Sequence, residues 1–412
     1  MTEQTNTPEL RFPGFNGEWR FNKLGDLTTK IGSGKTPKGG SQNYLNAGIP
    51  FLRSQNIQNG KLNLDDLVYI DSKTDETMKN SKSYFGDILL NITGASIGRS
   101  AINSIDNTHI NLNQHVCIIR LKKQFSYKFL GNFLLSPRGQ KKIFKAQSGG
   151  SREGLNFKEI ANINLYIPDN FNEQEKLGKF FSKLDRQIEL EEKKLELLEH
   201  QKKGYMQKIF SQELRFKDED GELYPEWRQK KIGELAQIVR GASPRPIKDP
   251  KWFDINSDIG WLRIADVTEQ NGKINFLEQR LSKEGQSKTR VLKSTHLLLS
   301  IAASVGKPVI NFVKTGVHDG FLIFLNPQFN IYYMYNWLDF FKKVWNKYGQ
   351  PGSQVNLNSD IVKSQEIRIP HINEQNKIVD FLESIDKLVI KQSNKVELLK
   401  QRKKGLLQKM FV

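Results

Sequence analysis

Cysteine is almost absent from this chain of 412 residues. The single thiol, Cys117, permits no internal disulfide, which points to a reducing, cytoplasmic setting. Histidine is scarce too: the six residues (His109, His115, His200, His296, His318, His371) are scattered, without metal-ligand spacing. No apolar run approaches the roughly 18 residues that span a bilayer. The opening MTEQTNTPEL is polar and acidic, unlike a signal peptide. Acidic residues are in deficit, 45 Asp and Glu against 63 Lys and Arg, for a net charge of +18. Such a balance calls for a polyanionic partner or surface.

Signatures of catalysis are also missing. GSGKT (Gly32–Thr36) ends like a phosphate-binding loop, but Thr29 stands where that pattern needs glycine, and the corresponding stretch Arg240–Pro244 lacks the lysine. A turn near phosphates is the better reading. No Gly-rich dinucleotide fingerprint follows a strand, and no Asn/Asp-Pro-Pro-aromatic run occurs. Glu191-Glu192-Lys193 has nuclease-like spacing but lies on a helical repeat, where a solvated face explains it. The chain reads as non-catalytic, with no metal and no cofactor of its own.

What the sequence does hold is a repeat. Glu173–Phe210 and Glu374–Phe411 align without a gap. Both open Glu-Gln-x-Lys, carry Glu-Leu-Leu, and close Lys-Lys-Gly-x-x-Gln-Lys-x-Phe. Heptad positions form an apolar seam of Phe181, Leu184, Ile188, Leu195 and Leu198 in one copy and Leu382, Ile385, Val389, Val396 and Leu399 in the other. Polar interruptions also match, Glu191 with Gln392 and Lys202 with Lys403. A seam at this spacing buries itself against a partner helix, most simply the other copy. Each helix is roughly 55 Å long at about 1.5 Å per residue, unless Gly204 and Gly405 bend or end it.

The stretches between the helices repeat as well. ELRFPGFNGEW (Glu9–Trp19) corresponds to ELRFKDEDGELYPEW (Glu213–Trp227), and Ile49–Asn63 to Ile259–Asn275. Gly86–Arg99 and Ser294–Lys307 both close on Ala-Ser-aliphatic-Gly-basic. Each is followed by a strand-like run (His115–Leu121; Phe321–Leu325), an aromatic-rich helical pattern (Tyr127–Gln147; Ile331–Tyr348), a Gly-Ser loop, and a strand ending in Ile-Pro. Short strands mixed irregularly with one or two helices predict α+β halves. The helical repeats carry nine and nine Lys/Arg against eight and five Asp/Glu, so +13 of the +18 lies outside them. That excess is placed to grip a phosphate backbone.

The paired helical repeats and the Glu-Trp entries to each half resemble the specificity subunit of a type I restriction–modification enzyme, over nearly the whole chain. The resemblance implies two pseudo-repeated α+β target-recognition domains joined by two long antiparallel coiled-coil helices. The expected boundaries are 1–168 and 213–370 for the recognition domains, with helices at 169–212 and 371–412. It implies a scaffold that reads double-stranded DNA, docks two methyltransferase subunits and is joined by restriction/translocase subunits. S-adenosylmethionine, ATP and magnesium are then expected on those partners only.

A duplicated unit carrying one helix per copy gives a pseudo-twofold molecule and hence two half-sites. Differing halves make the target asymmetric, read mainly in the major groove. Candidate DNA contacts in the first half are Lys35, Thr36, Lys38, Arg53, Gln55, Asn56, Thr93, Ser96, Arg99, Asn113, Gln114, Ser151 and Arg152. In the second they are Arg240, Ser243, Arg245, Lys248, Arg263, Ser304, Lys307, Gln354 and Asn356. Arg53 and Arg263 occupy the same place in both halves, which suits a structural or phosphate role. Base readers should differ between halves, which favours Gln55, Asn56, Arg245 and Gln354. A self-sufficient DNA-binding regulator and an RNA-binding scaffold fit the same residues.

Overall fold

A computed structural model describes residues 6–147, 154–301, 305–348 and 357–412, with side chains of 346–348 set aside. The chain forms two compact units: Met1–Lys193 with Ser393–Val412, and Lys194–Gln392. Each unit therefore contains one globular half and a stretch of both long helices, whereas the expected boundaries put the helices in segments of their own.

In the first unit, the apolar runs Ile88–Asn91 and Val116–Leu121 are buried because both lie inside one antiparallel sheet, ordered Thr28–Ser33, Val116–Leu121, Ile88–Asn91, Ser100–Ile102. Cys117 lies there with no exposed surface, its thiol pushed up to about 12 by burial, so it is an inert core group. A second sheet runs Val68–Ile70, Ile49–Leu52, Ile110–Leu112, Lys82–Ser83, and its central pair is parallel. The aromatic-rich pattern forms two helices, α1 (Tyr127–Leu135) and α2 (Pro137–Gln147). The break follows from Pro137, whose ring cannot continue a helix but starts one well. The long helix α3 (Phe171–Phe210) follows.

The second unit repeats the core of this skeleton, with five strands in one sheet and three in the other where the first unit has four and four. Its larger sheet is ordered Gln237–Arg240, Phe321–Leu325, Leu297–Ser300, Pro308–Asn311, Lys273–Ile274. In its smaller sheet, Thr315–Val317 pairs parallel with Gly260–Leu262 and antiparallel with Arg290–Leu292. The first unit's Ile110–Leu112 makes the same two kinds of pairing. Helix α4 (Ile331–Phe341) leads by a 3₁₀ stretch to residue 348, and helix α5 is Ile372–Lys409. Gly204 and Gly405 lie inside α3 and α5, so neither ends a rod. At 40 residues, α3 is about 60 Å long.

The shared Glu-Gln of the helical repeats is the bolt between helix and globular half. In the first unit Arg11 donates from Nε and Nη2 to the two carboxylate oxygens of Glu173 at 2.6 and 2.8 Å. In the second, Arg215 donates the same way to Glu374 at 2.8 and 3.0 Å. Both carboxylates are buried, so the bidentate pairing is what makes their burial tolerable. The neighbouring amides act alike. Gln174 accepts from the Ser126 amide and donates to the Pro168 carbonyl, while Gln375 accepts from the Asn330 amide and donates to the Pro370 carbonyl. Each glutamine thereby ties its long helix to the start of the aromatic-rich helical stretch, at α1 in the first unit and α4 in the second.

The seam is as the heptads predict. Phe181, Leu184, Ile188, Leu382, Ile385, Val396 and Leu399 are buried, and Leu195, Leu198 and Val389 are half-buried. Three of its four polar interruptions, Glu191, Lys202 and Lys403, form ion pairs. Within the first unit Lys403 meets Asp185 at 2.5 Å and Lys395 meets Glu191 at 2.5 Å. Within the second, Lys202 meets Asp386 at 2.5 Å, the counterpart of the Lys403 pair. The end of α5 enters the first unit's core, where Phe411 contacts the rings of Phe129, Phe133 and Phe181. Full burial of such a ring contributes about 1.5–3 kcal/mol. Here the Leu10 amide bonds the Lys409 carbonyl at 2.9 Å, just as the Leu214 amide bonds the Lys208 carbonyl at 3.0 Å in the second unit. The N-terminal segment thus meets α5 as the 213–216 segment meets α3, without a covalent link. No described helix is long and apolar enough to cross a membrane.

Candidate nucleic-acid interface

Most of the predicted contact residues of the first unit gather at one rim. The strands Thr28–Ser33, Ile49–Leu52, Ile88–Asn91 and Ile110–Leu112 all end there, and the loops that follow carry the candidates. Backbone bonds hold the loops together: Lys35 amide to Leu112 carbonyl at 2.9 Å, and Asn113 amide to Leu52 carbonyl at 3.0 Å. The Asn91 side chain adds a bond to the Ser54 carbonyl at 2.9 Å.

Gly34 is needed for this crossing. A Cβ there would lie 2.0 Å from the Leu112 carbonyl oxygen. The Gly34 and Lys35 amides both donate to strand carbonyls, so GSGKT cannot cradle a phosphate as a nucleotide-binding loop does. Gly241 makes the same crossing: a Cβ there would lie 2.2 Å from the His318 carbonyl oxygen.

The rim sorts the candidates into two kinds. Lys35, Lys38, Arg99 and Gln114 are exposed. Gln55 is exposed and donates to Asp66 at 2.5 Å. Thr36 and Ser96 are half-buried on the same loops, and Thr93 meets the His115 ring at 2.6 Å. Asn56 and Asn113 belong to the second kind and correct the expectation of DNA-facing amides. Asn56 is 1% exposed, accepts from the Arg53 amide and donates to the Asn63 carbonyl, so it builds the turn. Asn113 is buried and accepts from the His115 amide. Arg53 donates to the Asp66 carbonyl at 2.7 Å and lies over the Tyr44 ring. Ser151, Arg152, Ser304, Gln354 and Asn356 lie outside the described residues.

In the second unit the same rim is organised by a residue that sequence reasoning missed. Asp319 accepts from Ser243 at 2.8 Å and from Arg245 at 2.7 Å, and its carbonyl accepts from Arg240 at 2.6 Å. Asp319 stands where the first unit has Gln114, as the matched crossings of Gly34 and Gly241 show. Aligning the strand-like runs backwards by two residues would have found it. Beside it, burial holds His318 below the ordinary imidazole range, against the pull of Asp319. Arg263 repeats the tethering of Arg53: its amide and guanidinium both bond Asp266, which raises its pKa. Lys307 donates to Asn271 at 3.1 Å, and Lys248 is exposed.

A cleft of about 570 Å³ opens here, walled by Trp261, Phe253 and Ile247 and edged by Lys248, Arg263, Gln279 and His318. Flat apolar walls with donors and acceptors at the mouth suit the edge and face of a nucleobase. Among the described residues, no group of three His, Cys, Asp or Glu is placed to hold a metal ion.

Comparison with known proteins extends over the whole molecule. The family model for the type I restriction modification DNA specificity domain matches residues 16–200 and again 224–400. The chain is 25% identical over 415 residues to the type I restriction enzyme MjaVIII specificity subunit of Methanocaldococcus jannaschii, covering 94% of this chain and 91% of that protein. Its fold is similar to a solved structure that concerns complex assembly and conformational transition of the type I R-M system, with TM-score 0.62, 16% identity and 97% of each chain covered. The S subunit of a type I restriction–modification system from M. genitalium gives TM-score 0.58 at 14% identity, over 98% of this chain and 99% of that one.

Proposed function

The chain belongs to the type I restriction–modification DNA specificity family, and from that premise we propose that it reads an asymmetric DNA target in two parts, one part per unit. The observation that carries this reading is the duplicated strand skeleton bearing unlike rims: Lys35, Lys38 and Gln114 in one unit, and Ser243, Arg245 and Asp319 in the other. A common frame with different polar tips reads different bases in the major groove, where each base pair shows its own donor and acceptor pattern. The long helices α3 and α5 set a fixed interval between the half-sites. Two methyltransferase subunits dock on the scaffold and bring S-adenosylmethionine, while restriction/translocase subunits bring ATP and magnesium. This chain itself holds no cofactor and works in the cytoplasm.

The test is reconstitution. Alone, the purified chain transfers no methyl group and cuts no DNA. Joined to its methyltransferase, it confers methylation at one bipartite sequence, and duplex DNA displaces structured RNA from it. Binding weakens steeply with salt as Lys and Arg contacts release counterions. Methyl transfer by the chain alone, or RNA that competes as well as duplex, overturns the reading.

A further inference from the structure

Helix α2 (Pro137–Gln147, PRGQKKIFKAQ) carries four basic residues and no acidic one. At 3.6 residues per turn, Arg138, Lys141, Lys142 and Lys145 fall within an arc of about 100°. Gly139 and Ile143 occupy another face and are buried. Arg138, Lys141 and Lys145 are exposed, and Lys142 is half-buried. No ion pair among the described residues engages Arg138, Lys141 or Lys142. Burial, then Arg138 and Lys145, hold the Lys142 ammonium below its ordinary range, as expected of a cation among cations.

This stripe is fixed to the rim already described. Gln140 donates to the Gly98 carbonyl at 3.1 Å. Gly98, at φ 85°, packs against Gln140 and Ile143, so the loop bearing Ser96 and Arg99 is seated on α2. The second unit makes the same joint with other residues. Gly306, at φ 77°, packs on Trp345 in the 3₁₀ stretch after α4. Lys307 follows Gly306 as Arg99 follows Gly98, and the charge of Lys342 helps hold the Lys307 ammonium below its ordinary range, after burial. Lys343 beside it is exposed. A cationic helix end beside a Gly-basic loop therefore recurs in both units, while the tips that differ between units lie in the neighbouring loops. Recurrence is what a sequence-independent contact requires and what a base reader should lack.

We propose that α2 with Arg99 is a grip on the sugar–phosphate backbone of the DNA, and that Lys307, Lys342 and Lys343 are its counterpart in the second unit. The proposal rests on the DNA-reading function above. It adds that affinity and sequence choice reside in separate residues of each unit.

The test uses the full-length chain with Arg138→Gln, Lys141→Gln and Lys142→Gln combined. Affinity for a target duplex and an unrelated duplex is measured across a salt series. The slope of log affinity against log salt should fall by about 2–3, at roughly 0.9 per lost phosphate contact. Both duplexes should lose affinity by the same factor, and the methylated sequence of the reconstituted complex should stay unchanged. The variant Arg138→Lys, Lys141→Arg, Lys142→Arg should keep the original slope. Removing three charges from the long helices instead (Lys194→Gln, Lys387→Gln, Lys391→Gln) should also leave it unchanged. An unaltered slope in the first variant, an equal drop in the long-helix variant, or a changed methylated sequence each overturns the grip while DNA reading stands. Failure of the unmodified chain to bind duplex overturns both.

Discussion

At the place where the first unit exposes Gln114 beside Thr36 and Lys38, the second holds Asp319 bonded to Ser243 and Arg245. The strands that present these residues pair in the same order and orientation in both units. So do the anchors: Arg11 on Glu173, Arg215 on Glu374. At this rim the units differ in side chains at the ends of matched strands, where a substitution changes chemistry without disturbing a sheet. Recognition can therefore diverge between the units while folding does not. Positions buried under the rim, such as Asn56 and Asp266, serve both units alike by closing a turn onto the amide of Arg53 or Arg263.

The comparison breaks most visibly at the anchors. Glu173→Ala and Glu374→Ala each leave a half-buried guanidinium without its carboxylate and a gap where the buried glutamate lay, and each should destabilise by about 3 kcal/mol in denaturant unfolding. Trp227 donates a further bond to Glu374 at 3.1 Å, so the second substitution should be the costlier. A large loss from only one of the two would refute the equivalence of the bolts.

Next come the helices. Val396→Glu places a charge in the buried seam and should cost several kcal/mol. Leu195→Glu, at a half-buried site, should cost less, and Glu199→Ala, on the exposed face, should stay within about 0.5 kcal/mol. Similar losses at all three, by thermal or chemical unfolding, would contradict the pairing.

A finer contrast lies within one turn. Asn56→Ala leaves buried backbone groups unpaired and should cost about 1–3 kcal/mol, with the recognised bases unchanged. Gln55→Ala should leave stability alone and relax discrimination at one base pair by about 1–3 kcal/mol. A stable Asn56→Ala with altered sequence choice would reverse these roles.

The smallest effect concerns pH. His318 has a folded pKa below its ordinary 6.5, so the unfolded chain binds its proton more readily. Its contribution is therefore present above about 6.5 and lost as pH falls below it. His318→Asn should flatten that part of the stability–pH curve, whereas an unchanged curve would show that the ring titrates normally when folded.

Much of this was legible in the chain. The heptad seam, the matched polar breaks and the strands of each half follow from periodicity and internal alignment, because burial imposes patterns that recur along a sequence. Gly204 and Gly405 were misleading, since packing overrides the cost of one glycine in a long helix. Asn56, Asn113 and Asp319 were not legible. Asn56 and Asn113 bond within their own loops, to Arg53, Asn63 and His115, and residue type alone does not distinguish an amide that closes a turn from one that faces solvent. The side-chain partners of Asp319, Ser243 and Arg245, lie 76 and 74 residues away in sequence. The α2 stripe was hidden for a different reason: as lysines in a helical pattern it reads as ordinary solvated surface until its seat on the Gly98 loop is seen.

The central claim is that rims choose bases and helices choose the interval, and mapping the methylated sequence for two altered chains tests it most directly. Four helix-forming residues inserted after Glu196, and four after Glu397, lengthen each rod by about 6 Å and nearly complete a turn, so the seam keeps its face. At about 3.4 Å per base pair, the gap between half-sites should widen by one or two base pairs, with both half-sites intact. Exchanging Ile49–Pro168 for the equivalent stretch of a relative should change one half-site and leave the gap alone. Altered half-sites in the first chain, or an altered gap in the second, would contradict the account.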